Sequence, residues 1–432
     1  MKVLLITAEE WNDNIYGNGV LTNWFSGFNA EFAQIYTSPG IPSNSICNKY
    51  FRISDGEMAK SLFCKTKAGS IINQEKSKKT MQNPQRKGIY GFMKKLSLWC
   101  HTPVIIIKDF IWLNGHYNEE LLQKFISDFN PDIVFCPRYL TPSLMRLEKI
   151  VKKMTNAPFV AFTGDDEASY REYNLSPLYW FRRIWVHNKF AKHVKGFYEH
   201  YWTFSEDQAK EYTQEYALNT STLYKCGNFP KSFNKKTPGN PIRLVYAGRL
   251  YCNRWKTLAI IGKALKEINK EKEHMVLDIY TTEELTSKQK KTLCPENSIY
   301  IKGCVTPTEL INIYHNADIA LHVESMDKKY KLATRVSFST KIIDLMASTC
   351  AILAICWEEH TGYKYLKEQD AAFCISNYND ILPLLKDICK NPELINIVAE
   401  KAYKCGIKNH SREKIQNQIQ EEFKSAINKV PK

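Results

Sequence analysis

The chain has 432 residues, enough for two or three domains with full hydrophobic cores. Hydrophobic residues make up 44% and charged residues 24%, with only 18 glycines and 17 prolines, which excludes disordered, collagen-like and linker-dominated chains. The formal charge of +15 points to an anionic partner: nucleic acid, nucleotide, diphosphate or acidic membrane face.

The alternation of elements begins at once. Residues 2–7, KVLLIT, read as a buried strand that gives way to Glu9 and Glu10, too short for the core of a signal peptide. A loop with Gly17, Asn18 and Gly19 leads into a helix at 20–31, and 32–37 reads as the next strand. A basic insertion at about 64–100 follows. Between 65 and 95 it sets Lys65, Lys67, Lys76, Lys78, Lys79, Arg86, Lys87, Lys94 and Lys95 against one acid, Glu75. The apolar stretch at 103–113 carries Lys108 and Asp109 and is shorter than a membrane span. Helices are expected at 119–129 and 144–155, and strands at 131–136, 158–163 and 200–205.

The segment 177–197, PLYWFRRIWVHNKFAKHVKGF, interleaves Tyr179, Trp180, Phe181, Trp185 and Phe190 with Arg182, Arg183, Lys189, Lys192 and Lys195. Such a helix suits an anionic membrane interface, and equally a partly buried amphipathic helix with a solvated basic face. The Pro- and Lys-rich stretch 228–241 is the best linker candidate. Beyond it the alternation restarts. Strands are expected at 242–247, 275–281, 298–302, 319–323 and 351–355. Helices are expected at 256–269, 308–316, 341–347, 380–390, 392–405 and 412–424. The expected fold is α/β, with two facing Rossmann-like, doubly wound domains and an inter-domain cleft. The boundaries fall at 1–235, 236–408 and a tail helix in 409–432.

Thirteen scattered cysteines without a Cys-x-x-Cys pair argue against a zinc site and a disulfide framework, and for a reducing cytoplasm. The ten histidines hold no His-x3-His pair, so no metal ligand is expected. In open parallel sheets ligands bind beyond the carboxyl ends of strands. Arg249 follows the strand at 242–247, and Arg254 and Lys256 come just before a helix, a cationic set suited to a diphosphate. Ser339, Thr340 and Lys341 lead into the helix at 341–347, offering backbone N–H groups and one full charge to phosphate. Asp344, one turn on, can accept ribose hydroxyls. Asp165 and Asp166 follow the strand at 158–163, where the alternative role is a turn or helix cap, and Arg138 follows the strand at 131–136.

The segments GRLYCNRWKTL, GCVTPTELINIYHNADIALHVES and SFSTKIIDLMASTCAILAI resemble the retaining glycosyltransferases of the GT-B fold, family four, and within it a polysaccharide-assembly subgroup. The resemblance covers roughly 240–405, and the first domain only in outline. It implies transfer of a sugar from a UDP- or GDP-sugar to a saccharide or polyprenyl-linked acceptor, in bacterial surface polysaccharide biosynthesis, capsule or O-antigen. No cofactor or metal is implied. Arg249 matches the family's diphosphate-clasping Arg, Arg254 stands where its Lys is usual, and Lys256 is a near neighbour. Asp344 matches the second acid of its acid-x7-acid segment. Val336 occupies the first-acid position, with Glu324 a candidate substitute, and Thr349 stands where a Gly is usual.

By the same resemblance Gly17 and Gly19 lie near donor phosphate, Asp165 near the reacting sugar, and Asp166 and Arg138 near the acceptor. The implied location is cytoplasmic, peripheral on the inner face of the membrane through 65–95 and 177–197. A sugar-nucleotide epimerase or a non-catalytic saccharide-binding paralogue are the rival readings. Nucleic acid is not expected as a partner, since no motif of that kind accompanies the charge.

Overall fold

The computed structural model describes residues 1–13, 19–72, 101–137, 141–166, 169–293 and 298–429. Gly17, Arg138 and most of the basic insertion lie outside the described residues. The chain divides into two compact units, 1–223 with 416–432 and 224–415. Both are α/β, with Rossmann-like sheets that are parallel apart from one edge strand.

The first unit is built on eight strands: β1 (Lys2–Thr7), β2 (Glu31–Tyr36), β3 (Lys49–Arg52), β4 (Ser70–Ile72), β5 (Ile133–Pro137), β6 (Phe159–Thr163), β7 (His200–Thr203) and β8 (Thr220–Thr222). Their order in the sheet is β4-β3-β2-β1-β5-β6-β7-β8. β1 sits centrally with Val3 to Thr7 all buried, as a continuous apolar run requires when helices cover both faces. Its register pairs Val3 with Phe32 on one side and with Ile133 on the other. β4 runs antiparallel to β3.

The helix expected at 20–31 is short, Val20–Phe25, because Glu31 already pairs with Lys2 in the sheet. The helix Pro177–Val194 starts on a Ser176 cap that accepts the Tyr179 N–H. It buries Val186, Phe190, His193 and Val194 at helical spacing.

One face of this sheet is aromatic. Trp24 meets Phe162 edge-on at 4.8 Å, and Phe135 meets Trp202 at 5.7 Å. The last helix, Arg412–Lys429, returns the chain to this unit at Gln416. It buries Ile419, Phe423 and Ala426, three positions on one helical stripe. Gln416 Nε2 donates to the carbonyls of Trp24 and Ser26 at 2.8 and 2.9 Å, fixing the start of that contact.

The second unit holds six parallel strands: β9 (Ile242–Ala247), β10 (Met275–Tyr280), β11 (Ile299–Gly303), β12 (Ile319–Val323), β13 (Ala351–Ile355) and β14 (Phe373–Ile375). The order β11-β10-β9-β12-β13-β14 is the Rossmann order, and its reversal lies between β9 and β12. β12 and β13 are buried end to end and paired in register, Ile319 with Ala351 through Val323 with Ile355.

The division between units falls after Leu223, ahead of the linker candidate at 228–241. That stretch is tied to the second unit. Tyr403 Oη donates to the Pro230 carbonyl at 2.8 Å, and Lys236 N–H donates to Asn396 at 2.9 Å. Gly239 N–H donates to Asp318 at 3.1 Å. Among the described residues no helix is long and apolar enough to cross a membrane.

Candidate functional site

In the second unit the sheet reverses between β9 and β12, and the loops after those two strands carry most of the residues singled out from sequence. β9 ends at Ala247, and Gly248 to Asn253 turn the chain into the helix Arg254–Ile268. Cys252 and Asn253 both take left-handed φ, 55° and 60°, which makes the turn tight enough to place Arg254 at the first helical position. The turn is pinned on both sides. Tyr246 Oη donates to the Arg249 carbonyl at 2.6 Å, and Leu250 N–H donates to Glu283 Oε2 at 2.9 Å. Arg249 itself is exposed, and among the described residues its guanidinium has no ion pair.

Arg254 is held differently. Its Nε donates to Glu324 Oε2 at 2.9 Å and its Nη2 to Glu324 Oε1 at 2.6 Å, a two-pronged pair with both side chains nearly excluded from water. Tyr251 lies under the guanidinium, 4.6 Å from its ring centre. Glu324 is fixed further through its carbonyl, which accepts the Thr257 hydroxyl at 2.9 Å. The carboxylate expected near the donor sugar therefore has both oxygens bound to Arg254, and what it does here is fix that cation's direction.

Lys341 joins this group from the helix Lys341–Ala347. The residue as a whole is exposed, but its ammonium is enclosed: Nζ donates to the Ala247 carbonyl at 3.2 Å and lies where a Cβ on Gly248 would be, 2.0 Å away. The ammonium thus packs directly over the Gly248 backbone. Desolvation, then the cations of Arg254 and Arg249, draw the Lys341 pKa down to about 8. Ser339 and Thr340 are half-buried at the start of that helix, and the Thr340 side chain makes no cap. With seven residues the helix has little dipole, so the charge of Lys341 is the larger positive feature at its start.

The other acids and bases are paired. Both oxygens of Asp344 accept from Lys225 Nζ, at 2.7 and 2.9 Å. Lys256 Nζ and Asn253 Nδ2 both donate to Asp327 Oδ2, at 2.9 and 2.7 Å. Val336 is buried at 1% exposure, so the first-acid position contributes packing. Thr349 takes φ 61°, the left-handed shape that favours glycine, so the backbone at that position accepts a β-branched residue under strain.

In the first unit Gly19 caps the helix Val20–Phe25 with a left-handed φ of 34°. Asp166 forms a turn, its carboxylate accepting the Ser169 N–H at 3.1 Å and the Ser169 hydroxyl at 2.7 Å. Asp165 is exposed just beyond β6, with its carbonyl bonded to Gln208 at 2.9 Å.

Sequence reasoning missed three features. Lys225 and Glu283 carry no local signal, because each acts across 119 or 33 residues of chain. A buried group of His322, Cys356 and His360 was also missed. One ligand atom of each lies within 4.8 Å of the others. Cys356 and His360 stand four apart, a spacing that a search for His-x3-His pairs passes over, and His322 comes from a different strand.

No family model matches the chain, and no curated protein matches it in sequence. The fold is nevertheless similar to solved structures over nearly its full length. HepE of Anabaena, solved in complex with UDP, is 12% identical with a TM-score of 0.61, covering 98% of this chain and 100% of that one. Sucrose-phosphate synthase of Thermosynechococcus elongatus is 12% identical with a TM-score of 0.61, covering 99% of each chain. An α,α-trehalose-phosphate synthase (UDP-forming) of Burkholderia vietnamiensis is 8% identical with a TM-score of 0.57, covering 98% of this chain and 100% of that one.

Proposed function

We propose that the chain is a retaining glycosyltransferase that binds a nucleotide-sugar through its second unit and transfers the sugar to a saccharide or lipid-linked saccharide. The observation that carries this reading is the convergence of Arg249, the Glu324-braced Arg254 and Lys341 at the reversal point of a Rossmann-ordered sheet. Three cations near one another suit a diphosphate, and the bracing of Arg254 by Glu324 and of Lys341 by the Ala247 carbonyl suits charge that grows during a reaction. UDP is the first nucleotide to try, because the similar HepE was solved with it; GDP is the second.

In this account the sugar C1–O bond to the diphosphate breaks while the acceptor oxygen bonds to C1. The acceptor's proton passes to the departing diphosphate. Arg249, Arg254 and Lys341 stabilise the developing negative charge, so no divalent ion is required at that step. Lys256 stands behind them, paired with Asp327. Asp344 would meet the ribose, displacing or sharing Lys225. Asp165 is the exposed carboxylate in the first unit for the acceptor side. A role for the chain in bacterial surface polysaccharide assembly fits a lipid-linked acceptor.

A thermal-shift series with UDP, GDP, ADP and their sugar conjugates tests the reading. Saturating donor at about a hundredfold over Kd stabilises the native state by ~2.7 kcal/mol, and chelator should leave that shift unchanged. No shift with any nucleotide would contradict the reading.

The first unit supports a second, separable proposal, contact with an anionic membrane surface. Leu178, Phe181 and Ile184 project from the helix Pro177–Val194, and Ile107 and Phe110 from the helix His101–Asn114 beside it. Two of the cations expected to meet lipid are engaged instead: Arg182 donates to buried Asp109 at 2.7 Å, and Arg183 to the Ser169 carbonyl. Apolar insertion is therefore the larger contribution. The chain should float with anionic vesicles, and Phe181→Asp should abolish flotation; equal flotation of both proteins would contradict this.

A further inference from the structure

The unexplained group in the second unit is the buried set His322, Cys356 and His360. His322 is the fourth residue of β12, and Cys356 immediately follows β13. Strand alternation turns Ile319, Leu321 and Val323 toward one core, packed with Leu353 and Ile355. It turns His322 and Cys356 to the opposite face. Their strands are neighbours with His322 opposite Ala354, so Cys356 stands on the diagonal two residues on. His360 begins the helix Thr361–Glu368 directly above them.

All three side chains are shut off from water, with His322 at 5%, Cys356 at 0% and His360 at 1% exposure. One ring nitrogen of each histidine and the cysteine sulfur lie within 4.8 Å of one another. His322 Nε2 is buried without a hydrogen-bond partner. A buried polar atom left without a partner is costly and calls for an explanation. The Cys356 N–H donates to the Ile375 carbonyl at 3.1 Å, which fixes the backbone that carries the thiol. His360 Nδ1 accepts the Tyr363 N–H at 3.4 Å, a long bond that coordination through Nδ1 would replace.

We propose that His322, Cys356 and His360 bind a thiophilic d10 cation, Zn2+ or Cu+, in the second unit. Two imidazoles and a thiolate are the donor set such ions select, whereas Mg2+, Ca2+ and Mn2+ take oxygen ligands. On binding, Cys356 releases its thiol proton to solvent and a metal–sulfur bond forms, with no change of oxidation state. The ion would join the ends of β12 and β13 to the helix Thr361–Glu368. Glu324 lies two residues beyond His322, so the bound ion holds the base of the Glu324–Arg254 pair. It is a positioning element that touches no reacting atom, and its existence does not depend on the transferase reading.

The test measures metal bound to the untagged full chain, purified after growth in zinc- or copper-supplemented medium and dialysed. About one ion per chain should be retained, and Cys356→Ser and His322→Gln should each lower that content about tenfold with the circular dichroism unchanged. Which medium yields the stoichiometric ion identifies it as Zn2+ or Cu+. A second measurement needs no variant: Co2+ added to metal-free wild type should give a thiolate-to-cobalt charge-transfer band that Mg2+ cannot produce. Wild type without bound metal from either medium and without that band would overturn the proposal. So would equal metal in wild type and both variants, which would mean an adventitious ion only.

Discussion

Among the individual residues, Lys341 carries the clearest pH signature. Its pKa of about 8, depressed from an ordinary 10.5, means the ammonium loses its charge just above neutrality. The sign for stability follows from proton counting. Between pH 8 and 10.5 the unfolded chain holds this proton and the native chain does not, so the lysine's penalty on the fold shrinks as pH rises. Anion binding goes the other way. UDP affinity should fall by about tenfold as pH rises from 7 to 9, as one charge-assisted contact is lost. Lys341→Arg, whose guanidinium stays charged, should flatten that profile; titration calorimetry giving the same slope for both proteins would contradict the role.

The residue scale is also where the sequence was least complete. Arg249, Arg254 and Lys341 were visible because they follow strands or start helices. Their arrangement was not, since the partner of Arg254 lies 70 residues away at Glu324 and that of Asp344 lies 119 residues away at Lys225. The turn role of Asp166, by contrast, was legible as one of its two readings because its partner Ser169 is local.

Among elements, the last helix has the most direct energetic consequence. Phe423 is fully buried, its ring 5.8 Å from both Phe135 and Trp202 and 6.4 Å from Phe28. Phe423→Ala leaves a ring-sized hole in that aromatic face and should cost the first unit ~3–5 kcal/mol in urea denaturation. A loss under about 1 kcal/mol would mean that the helix is only loosely docked. Sequence periodicity located this helix but not its place, because the residues that receive it are spread over the rest of the first unit. The continuous apolar strands were the easiest elements to read: 2–7, 242–247, 319–323 and 351–355 match β1, β9, β12 and β13. Short or polar edges such as β4 and β8 give no such run and were passed over, since three residues of SII or TST define no period.

At the scale of the whole molecule, the likeness to solved structures at 8–12% identity shows how little of a doubly wound fold depends on residue identity. What specifies it is the order of buried strands and the right-handed crossovers between them. The site is a second specification laid over the first, and it rests on a few cations at one reversal of the sheet. If these cations stabilise a departing diphosphate, donor turnover must differ between wild type and Arg249→Ala. Wild type should turn over a nucleotide-sugar without added metal, and the variant should be slower by about a hundredfold or more with the fold intact. Turnover by Arg249→Ala within about twofold of wild type would contradict it.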